Sequence, residues 1–139
     1  MPAADTVALR TWVQTRLTGD AALMALVSGV FRDRAPGEVP LPVVVVTRAG
    51  SRYAPSFSGE PATGELAFTV RAVGDGNDLD GLAPVLERLH ALLVGVRAVL
   101  GTGLSATLHL TGDVDYTERA QNREYTHAGF ILSASLSAS

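Results

Sequence analysis

A run of β-branched residues places the strongest restriction on how this chain can fold. Residues 43–47 are Val-Val-Val-Val-Thr and follow Pro42 directly. β-Branched side chains lose rotamer freedom in a helix and pack well on a pleated sheet, so the run predicts a strand. No polar residue alternates with the valines, which is typical of a strand buried on both faces. The sequence therefore predicts a central strand in a sheet that is covered on both sides at this point.

Alternating apolar residues predict three further strands. Residues 65–73, 104–110 and about 125–136 each place Leu, Phe, Val or Ala at every second position. This period of two gives each strand one apolar face and one more polar face. We expect the segment 65–73 to pair with residues 42–48, its neighbour along the chain.

The chain between the last two of these strands is polar. Residues 113–124 hold only scattered apolar side chains, with a short strand expected at Val114–Thr117 and a turn at residues 120–123.

Three helices are expected beside the strands. A first helix ends at Thr18-Gly19, and Asp20 can cap a second helix over residues 21–27. Residues 79–96 repeat Leu and Val at intervals of three and four, which predicts the longest helix. The order of elements predicts one α+β domain over residues 1–139, with a mainly antiparallel sheet and two or three helices packed on one face.

The apolar faces of these elements predict one core between the helices and the sheet. Truncation of a core residue such as Leu89 to alanine is expected to cost about 2–5 kcal/mol. The expected core residues are Leu9, Trp12, Val13, Val44, Val46, Phe68, Val70, Leu82, Leu86, Leu89, Leu93, Phe130 and Leu132.

A long stretch without periodicity lies between the first two predicted strands. Residues 49–64 contain three glycines, two prolines and three serines, which predicts a long loop or an excursion of two ragged strands. Loops longer than about 12–15 residues are usually functional or disordered, so we expect an arm that contacts another subunit. Arginine and aromatic side chains are common in such contacts. The candidate interface residues are Arg48, Arg52, Tyr53, Phe57, Glu60, Arg119 and Arg123.

The composition excludes several functional classes. The chain has no cysteine, so disulfides, thiolate metal sites and cysteine nucleophiles are excluded. Its 14 acidic residues and 11 basic residues, all of the latter arginine, give a net charge of −3, which disfavours binding driven by nucleic-acid phosphates. No apolar run reaches the roughly 18–20 residues of a membrane span, so no membrane partner is expected.

No group of residues in the sequence forms a recognised catalytic or metal-binding pattern. Asp78, Asp80 and Glu87 approach the spacing of a calcium loop, but the first ligand is missing and a strand precedes the loop. We interpret the two aspartates as turn and N-cap residues of the following helix. His109 and His127 lie opposite the apolar faces of their strands, so we expect them to be solvated or at an interface. Catalytic, cofactor-binding and metal residues are expected to be absent.

Two adjacent motifs resemble those of a known family. Phe31–Pro36 reads Phe-Arg-Asp-Arg-Ala-Pro, and Leu41–Val46 then reads Leu-Pro-Val-Val-Val-Val. In this order they are similar to the motifs of the small tail terminator, or tail completion, proteins of long-tailed bacteriophages and phage-derived particles. Val43 departs from the family pattern, in which an aromatic residue often follows the proline. Further segments that share the resemblance are Asp20–Leu23, Leu66–Ala72, Leu79–Val96 and Arg123–Ser137.

The resemblance implies a structural virion protein and not an enzyme. It implies a homohexameric ring, assembled in the bacterial host cytoplasm, that ends the tail tube at the head-proximal end of the tail. The implied partners are further copies of the chain, the tail tube protein and the head-tail connector protein, while DNA passes through without specific binding. At −3 per chain, six copies would carry a charge of −18, and an acidic lumen would not retain phosphates. The candidate lumen residues are Asp113, Asp115 and Glu118.

Two other interpretations are open. A neck, connector or minor tail-tube protein would form rings with a different number of subunits. A protein of a different class, a small α+β ligand-binding or enzyme domain, would need a pocket between the long helix and the sheet with convergent buried polar groups. The lack of a recognisable acid–base pair or phosphate motif argues against this last interpretation.

Overall fold

The computed structural model describes residues 2–35, 39–53, 64–76, 78–101, 103–120 and 122–138. The helices are α1 (Pro2–Thr18), α2 (Ala21–Met24) and α3 (Ala83–Leu93), and a 3-10 turn, Asp80–Leu82, precedes α3. The strands are β1 (Val30–Arg32), β2 (Val43–Tyr53), β3 (Gly64–Asp75), β4 (Arg97–Val99), β5 (Leu104–Ala120) and β6 (Arg123–Ala138). No helix within these ranges is long and apolar enough to cross a membrane.

The six strands form one sheet in the spatial order β1-β2-β3-β6-β5-β4. β1 lies parallel to β2, and every other neighbouring pair is antiparallel. β2 and β3 pair from Val43 opposite Val73 to Tyr53 opposite Gly64, so the pairing expected for these strands is confirmed and extends further. The chain is an α+β protein with a mainly antiparallel sheet, as its sequence predicts.

The three helices cover one face of this sheet. Val13 and Leu17 of α1, Leu23 of α2, and Leu89 and Leu93 of α3 are at most 1% exposed. They pack on the apolar face that the alternation in β3 and β6 predicts. The buried residues of that face in these two strands are Leu66, Phe68, Val70, Ala72, Ala128, Leu132, Ala134 and Leu136.

The predicted core is largely confirmed. Ten of its members are buried, and the other three, Trp12, Leu86 and Phe130, are partly buried against the same cluster. Burial of a large apolar side chain contributes about 1.5–3 kcal/mol, so this cluster is the main source of favourable free energy in the fold.

The opposite face of β2 is also covered. Val43 and Val45 belong to a smaller apolar cluster with Val73, and Phe31 and Leu41 pack against it. Phe31 belongs to β1, and Leu41 belongs to the chain that returns over the sheet before β2 begins. β2 is therefore buried on both faces, as its unbroken run of β-branched residues predicts.

Asp20 caps α2 as predicted and also connects α2 to α3. Its Oδ2 accepts the backbone N–H of Leu23 at 2.9 Å. Arg88 of α3 donates from Nε to Oδ2 at 2.7 Å and from Nη2 to Oδ1 at 2.6 Å. The hydrogen bonds from the Arg88 guanidinium lower the pKa of Asp20 from 3.8 to about 2.

The long helix is shorter than its periodicity predicts. α3 covers Ala83–Leu93 where the sequence predicts residues 79–96. Before it, Asp78 Oδ1 accepts the N–H of Gly81 at 2.9 Å, so the aspartate acts as a turn residue ahead of the 3-10 turn. After it, the chain turns into β4, a short edge strand that the sequence analysis does not predict. α2 is likewise a single turn instead of residues 21–27.

β5 is one long strand where the sequence predicts two separate strands, at residues 104–110 and at Val114–Thr117. It pairs with β6 along its whole length, and its register shifts once, between Leu110 and Gly112, where one residue bulges. The expected turn is a tight hairpin between β5 and β6, with Asn122 at a φ of 62°, a left-handed conformation that asparagine tolerates. The short strand expected at Val114–Thr117 is therefore part of a longer one, because pairing with β6 continues through the polar segment.

The stretch expected to form a long loop or two ragged strands is strand at both of its ends. β2 continues to Tyr53 and β3 begins at Gly64, so both ends of the segment 49–64 are paired with each other. Residues 54–63 lie outside the described residues. The contact arm stays a prediction for that shorter segment.

Candidate functional site

A groove of about 280 Å³ lies on the face of the sheet that carries no helices. One side is formed by the chain between β1 and β2, including Ala35 and Leu41, and the floor is formed by β2, β3, β6 and β5. The groove is apolar near β2 and polar near β5, where Arg71, His127 and Glu118 meet. It is on the opposite face from α3, so it is not the pocket that the ligand-binding interpretation expects between the long helix and the sheet.

The polar side chains in the groove form one continuous hydrogen-bond network. Arg71 donates from Nη1 to Thr47 Oγ1 at 2.8 Å and from Nε to His127 Nδ1 at 3.2 Å. His127 Nε2 lies 2.9 Å from Glu118 Oε1. Because Arg71 Nε can only donate, Nδ1 of the imidazole is the acceptor, and the ring proton on Nε2 donates to Glu118. The four side chains come from four adjacent strands and connect them across the sheet.

Tyr116 completes the environment of His127. The register places the two residues directly opposite each other, and their rings stack with centroids 4.5 Å apart and an interplanar angle of 7°. His127 is only 6% exposed, whereas Tyr116 is 46% exposed and covers it from solvent. The imidazole is thus fixed by a ring contact in addition to hydrogen bonds at both nitrogens.

This network stabilises the sheet and does not form a catalytic arrangement. The hydroxyl of Thr47 contacts the guanidinium of Arg71, which cannot accept a proton and therefore cannot activate a nucleophile. Within the described ranges, no three His, Asp or Glu side chains come together in a way that could hold a metal ion. Thr47, Arg71, His127 and Glu118 have one another as partners.

The structure corrects the expectation for one histidine and adds residues that sequence reasoning missed. His127 was expected to be solvated or at an interface, but it is buried beneath Tyr116, while His109 is exposed. Neither Arg71 nor Thr47 was a candidate. A signal that could have identified them is that each is a polar residue on the second face of an otherwise apolar strand, and both are half-buried in the structure.

The three acidic lumen candidates do not share a face of the sheet. Asp113 pairs with Phe130 and Asp115 with Ala128, so both carboxylates are on the helix side, where they are exposed. Glu118 is on the opposite side, in contact with His127. Residues on one face of a strand differ in number by a multiple of two, whereas Asp115 and Glu118 differ by three. One wall of a channel therefore cannot contain all three.

Two of the interface candidates lie at the β5–β6 hairpin. Arg119 is highly exposed and lies 4.0 Å from Glu124 across the hairpin. Arg123 donates from Nε to Asp75 Oδ1 at 3.0 Å and packs over the ring of Tyr125 at 5.4 Å. This bond from Arg123 lowers the pKa of Asp75. Arg123 is therefore engaged within its own chain, and Arg119 is the freer of the two.

The remaining interface candidates lie in or beyond the second half of β2. Arg48 is exposed and pairs in register with Phe68. Arg52 and Tyr53 are in the paired part of β2, opposite the first residues of β3. Phe57 and Glu60 lie outside the described residues, so their role stays a prediction.

Comparison with known proteins identifies the family of this fold. No curated protein matches the chain. A chain in a solved structure described as the virion of a native gene transfer agent (GTA) particle has a similar fold, with a TM-score of 0.70 and 22% identity over 94% of this chain and 96% of the other. A family model described as tail completion protein gp17 matches residues 11–130 of this chain. This match agrees with the resemblance of the sequence motifs, and the chain therefore belongs to the tail completion protein gp17 family.

Proposed function

We propose that copies of this chain assemble into a ring that ends the tail tube and joins it to the head-side connector. The chain is a structural protein of a phage tail, and the family match over residues 11–130 is the observation that carries the finer role. That match reaches from the middle of α1 to the middle of β6, so it includes β1 to β5, α2 and α3 in full. The partners that this role requires are further copies of the chain, the tail tube protein and the connector protein, in a virion assembled in the bacterial host cytoplasm.

The two different faces of the sheet support a ring with a channel. The helices cover one face, while the other carries Thr107 and His109 of β5 opposite Ser135 and Ser133 of β6. These four side chains are polar and carry no permanent positive charge. The nearby arginines on this face, Arg71, Arg97 and Arg123, donate hydrogen bonds to Thr47, Ser105 and Asp75 within the chain, which makes their guanidinium groups less available to DNA phosphates. We propose that this face lines the channel and lets DNA pass without specific binding.

The placement of the acidic residues changes their proposed roles. Glu118 lies on the face proposed to line the channel, so it remains a lumen candidate. Asp113 and Asp115 lie on the helix side of the sheet, and we propose a contact with a neighbouring subunit for them instead.

Imaging of the purified protein tests the ring. Negative-stain microscopy should show rings with a central hole, and native mass spectrometry should give six copies. A different number of subunits would favour the neck, connector or minor tail-tube interpretation. Monomers alone, also in the presence of tail tubes that lack this protein, would contradict the proposal.

A ligand-binding role is the second candidate, and the groove of about 280 Å³ is the observation that favours it. Arg34, Arg71 and Arg123 line the groove, so an anionic ligand is the chemistry it would accept. The test is the melting temperature with increasing inorganic phosphate or short dicarboxylates. A saturable rise that Arg34→Gln reduces would support this candidate. An unchanged melting temperature would leave the groove as a structural feature.

A further inference from the structure

Two strands of the sheet have long edges that no other described strand covers. β4 pairs with β5 only at Ser105–Thr107, which leaves residues 109–120 without a strand on that side. β1 pairs with β2 only at Val44–Val46, which leaves residues 47–53 without one. A long uncovered edge presents backbone donors and acceptors that can pair with another chain.

We propose that these two edges join between subunits, so that β5 of one copy pairs with β2 of the next and the sheets continue into one another. This inference rests on the proposed ring, for which it names the contact between subunits. The direction of the strands allows it. Three successive antiparallel pairs separate β2 from β5, so the two strands run in opposite directions within one sheet. When the next copy continues the sheet in the same orientation, the new pair is antiparallel.

The backbone of β2 presents hydrogen-bonding groups at Arg48. The N–H of Val44 donates to the carbonyl of Gly29, and the carbonyl of Val46 accepts from the N–H of Asp33. The backbone polar groups of these alternate residues therefore point towards β1. The next residue in this alternation is Arg48, which lies beyond the end of β1. Its N–H and carbonyl therefore point out of the sheet.

The backbone of β5 presents the matching groups at its acidic residues. Ala120 and Arg123 pair on either side of the two-residue turn, and in such a hairpin these residues bond to each other. By alternation, Thr117, Asp115 and Asp113 direct their N–H and carbonyl groups away from β6. The edge at these positions is thus available to a partner strand.

The side chains at the two edges are complementary in charge and lie on the same face. Arg48 is opposite Phe68, and Asp113 and Asp115 are opposite Phe130 and Ala128, all on the helix side. In a continuous antiparallel pair, Arg48 would lie opposite one aspartate and diagonal to the other, both within reach of a guanidinium. Within the described part of the chain, the structure shows no ion pair for any of these three side chains.

Charge also selects this pairing over a pairing of like edges. Two β5 edges would bring aspartates of both copies together, which is unfavourable. A contact between unlike edges is heterologous, and repeated contacts of this kind close into a ring when the rotation fits.

The open part of β2 and the open part of β5 lie at opposite ends of the sheet, so neighbouring copies are staggered along the strands. Such a stagger gives the strand tilt that closed barrels require.

A charge exchange tests the contact. Arg48→Asp, or Asp113→Arg with Asp115→Arg, should raise the concentration for half-assembly about tenfold or more, because each change replaces attraction with repulsion. The triple variant should recover assembly close to that of the unchanged protein. Arg48→Lys and Glu87→Arg are the controls: the first keeps the charge, and the second reverses an exposed charge on α3. Circular dichroism checks that every variant is folded.

Cysteine cross-linking gives a second test, since the chain has no native cysteine. Protein carrying Arg48→Cys, mixed with protein carrying Asp113→Cys or Asp115→Cys, should form a disulfide-linked heterodimer under mild oxidation. Homodimers of the β5 variants in excess of heterodimers would overturn the inference. Rings that are insensitive to the charge exchange, and that give no heterodimer, would overturn it while the proposed function stands. Absence of any ring from the unchanged protein would contradict both.

Discussion

At the scale of single residues, Asp20 has the most distinctive electrostatic environment in the described structure. Its carboxylate is 12% exposed and accepts hydrogen bonds from Arg88 of α3 and from the backbone of Leu23. The cap itself could be predicted from the sequence, because aspartate before a helix is a common N-cap. The partner could not, since Arg88 is 68 residues away and reaches Asp20 only through the packing of α2 on α3.

This environment predicts how stability depends on pH. The pKa of Asp20 is lowered from 3.8 to about 2, so between these values the unfolded chain binds a proton that the folded chain does not. The stabilisation is therefore complete above about pH 4 and is lost as the pH falls towards about 2. Arg88→Gln should flatten this part of the profile, as measured by urea unfolding at a series of pH values. Arg119→Gln, at a highly exposed position, is the control and should leave the slope unchanged.

Gly129 allows a prediction about the contact between β3 and β6. A Cβ at this position would overlap the carbonyl oxygen of Val70 and come too close to the Cα of Arg71. Because both are backbone atoms, the strands would have to separate. Gly129→Ala should therefore lower the free energy of unfolding by about 1–3 kcal/mol or more.

A second glycine in the same sheet provides the control. A Cβ at Gly112 would meet only the side chain of Ile131, at 3.3 Å, and that side chain can move. Gly112→Ala should change the free energy of unfolding by less than about 1 kcal/mol. Equal losses for the two alanine variants in urea unfolding would show that the close approach at Gly129 is not the cause.

At the scale of elements, the helices and strands with a strong apolar period could be predicted, and the others could not. The alternation in residues 65–73 and 125–136 identifies β3 and most of β6, because one face of each strand is buried under the helices. β5 loses this alternation after Leu110, where its side chains on both faces become mostly exposed. Its conformation there is set by pairing with β6, and strand formation of this kind depends on context more than on the residue types. β4 is too short to show a period.

The prediction that belongs to this scale concerns the packing of α3. Leu89 lies on the side of α3 that faces the sheet and is fully buried. Leu89→Ala should lower the free energy of unfolding by about 2–5 kcal/mol, because it removes apolar contacts and leaves a cavity. Urea unfolding followed by the fluorescence of the single tryptophan, which packs against the same core, measures this loss. Leu79→Ala is the matched control, since Leu79 is 42% exposed and should cost less than about 1 kcal/mol. Similar losses in the free energy of unfolding for both variants would mean that α3 packs on the sheet through a different face.

At the scale of the whole molecule, sequence motifs identified the family, but the candidate site could be predicted only in part. Arg48, Asp113 and Asp115 were selected from the sequence as interface or lumen residues, and the structure places all three at uncovered strand edges. What the sequence did not predict is that residues 113–120 continue as one uninterrupted strand, and in that strand the odd step from 115 to 118 places Glu118 on the other face. The groove was also not predictable, since residues far apart in the chain form it.

The proposed ring allows a last prediction, about the surface proposed to line its channel. His109 is exposed on the face proposed to line the channel, so His109→Arg would add one permanent cation per subunit without changing a buried residue. Counterion release should then make the ring retain DNA in low salt and release it as salt is raised, with a slope that grows with the number of phosphates contacted. Filter binding to assembled rings at a series of salt concentrations measures this. Glu87→Arg changes the charge by twice as much on the exposed side of α3, outside the proposed channel, and should give much weaker retention. Equal retention by the two variants would mean that the face without helices does not line the channel.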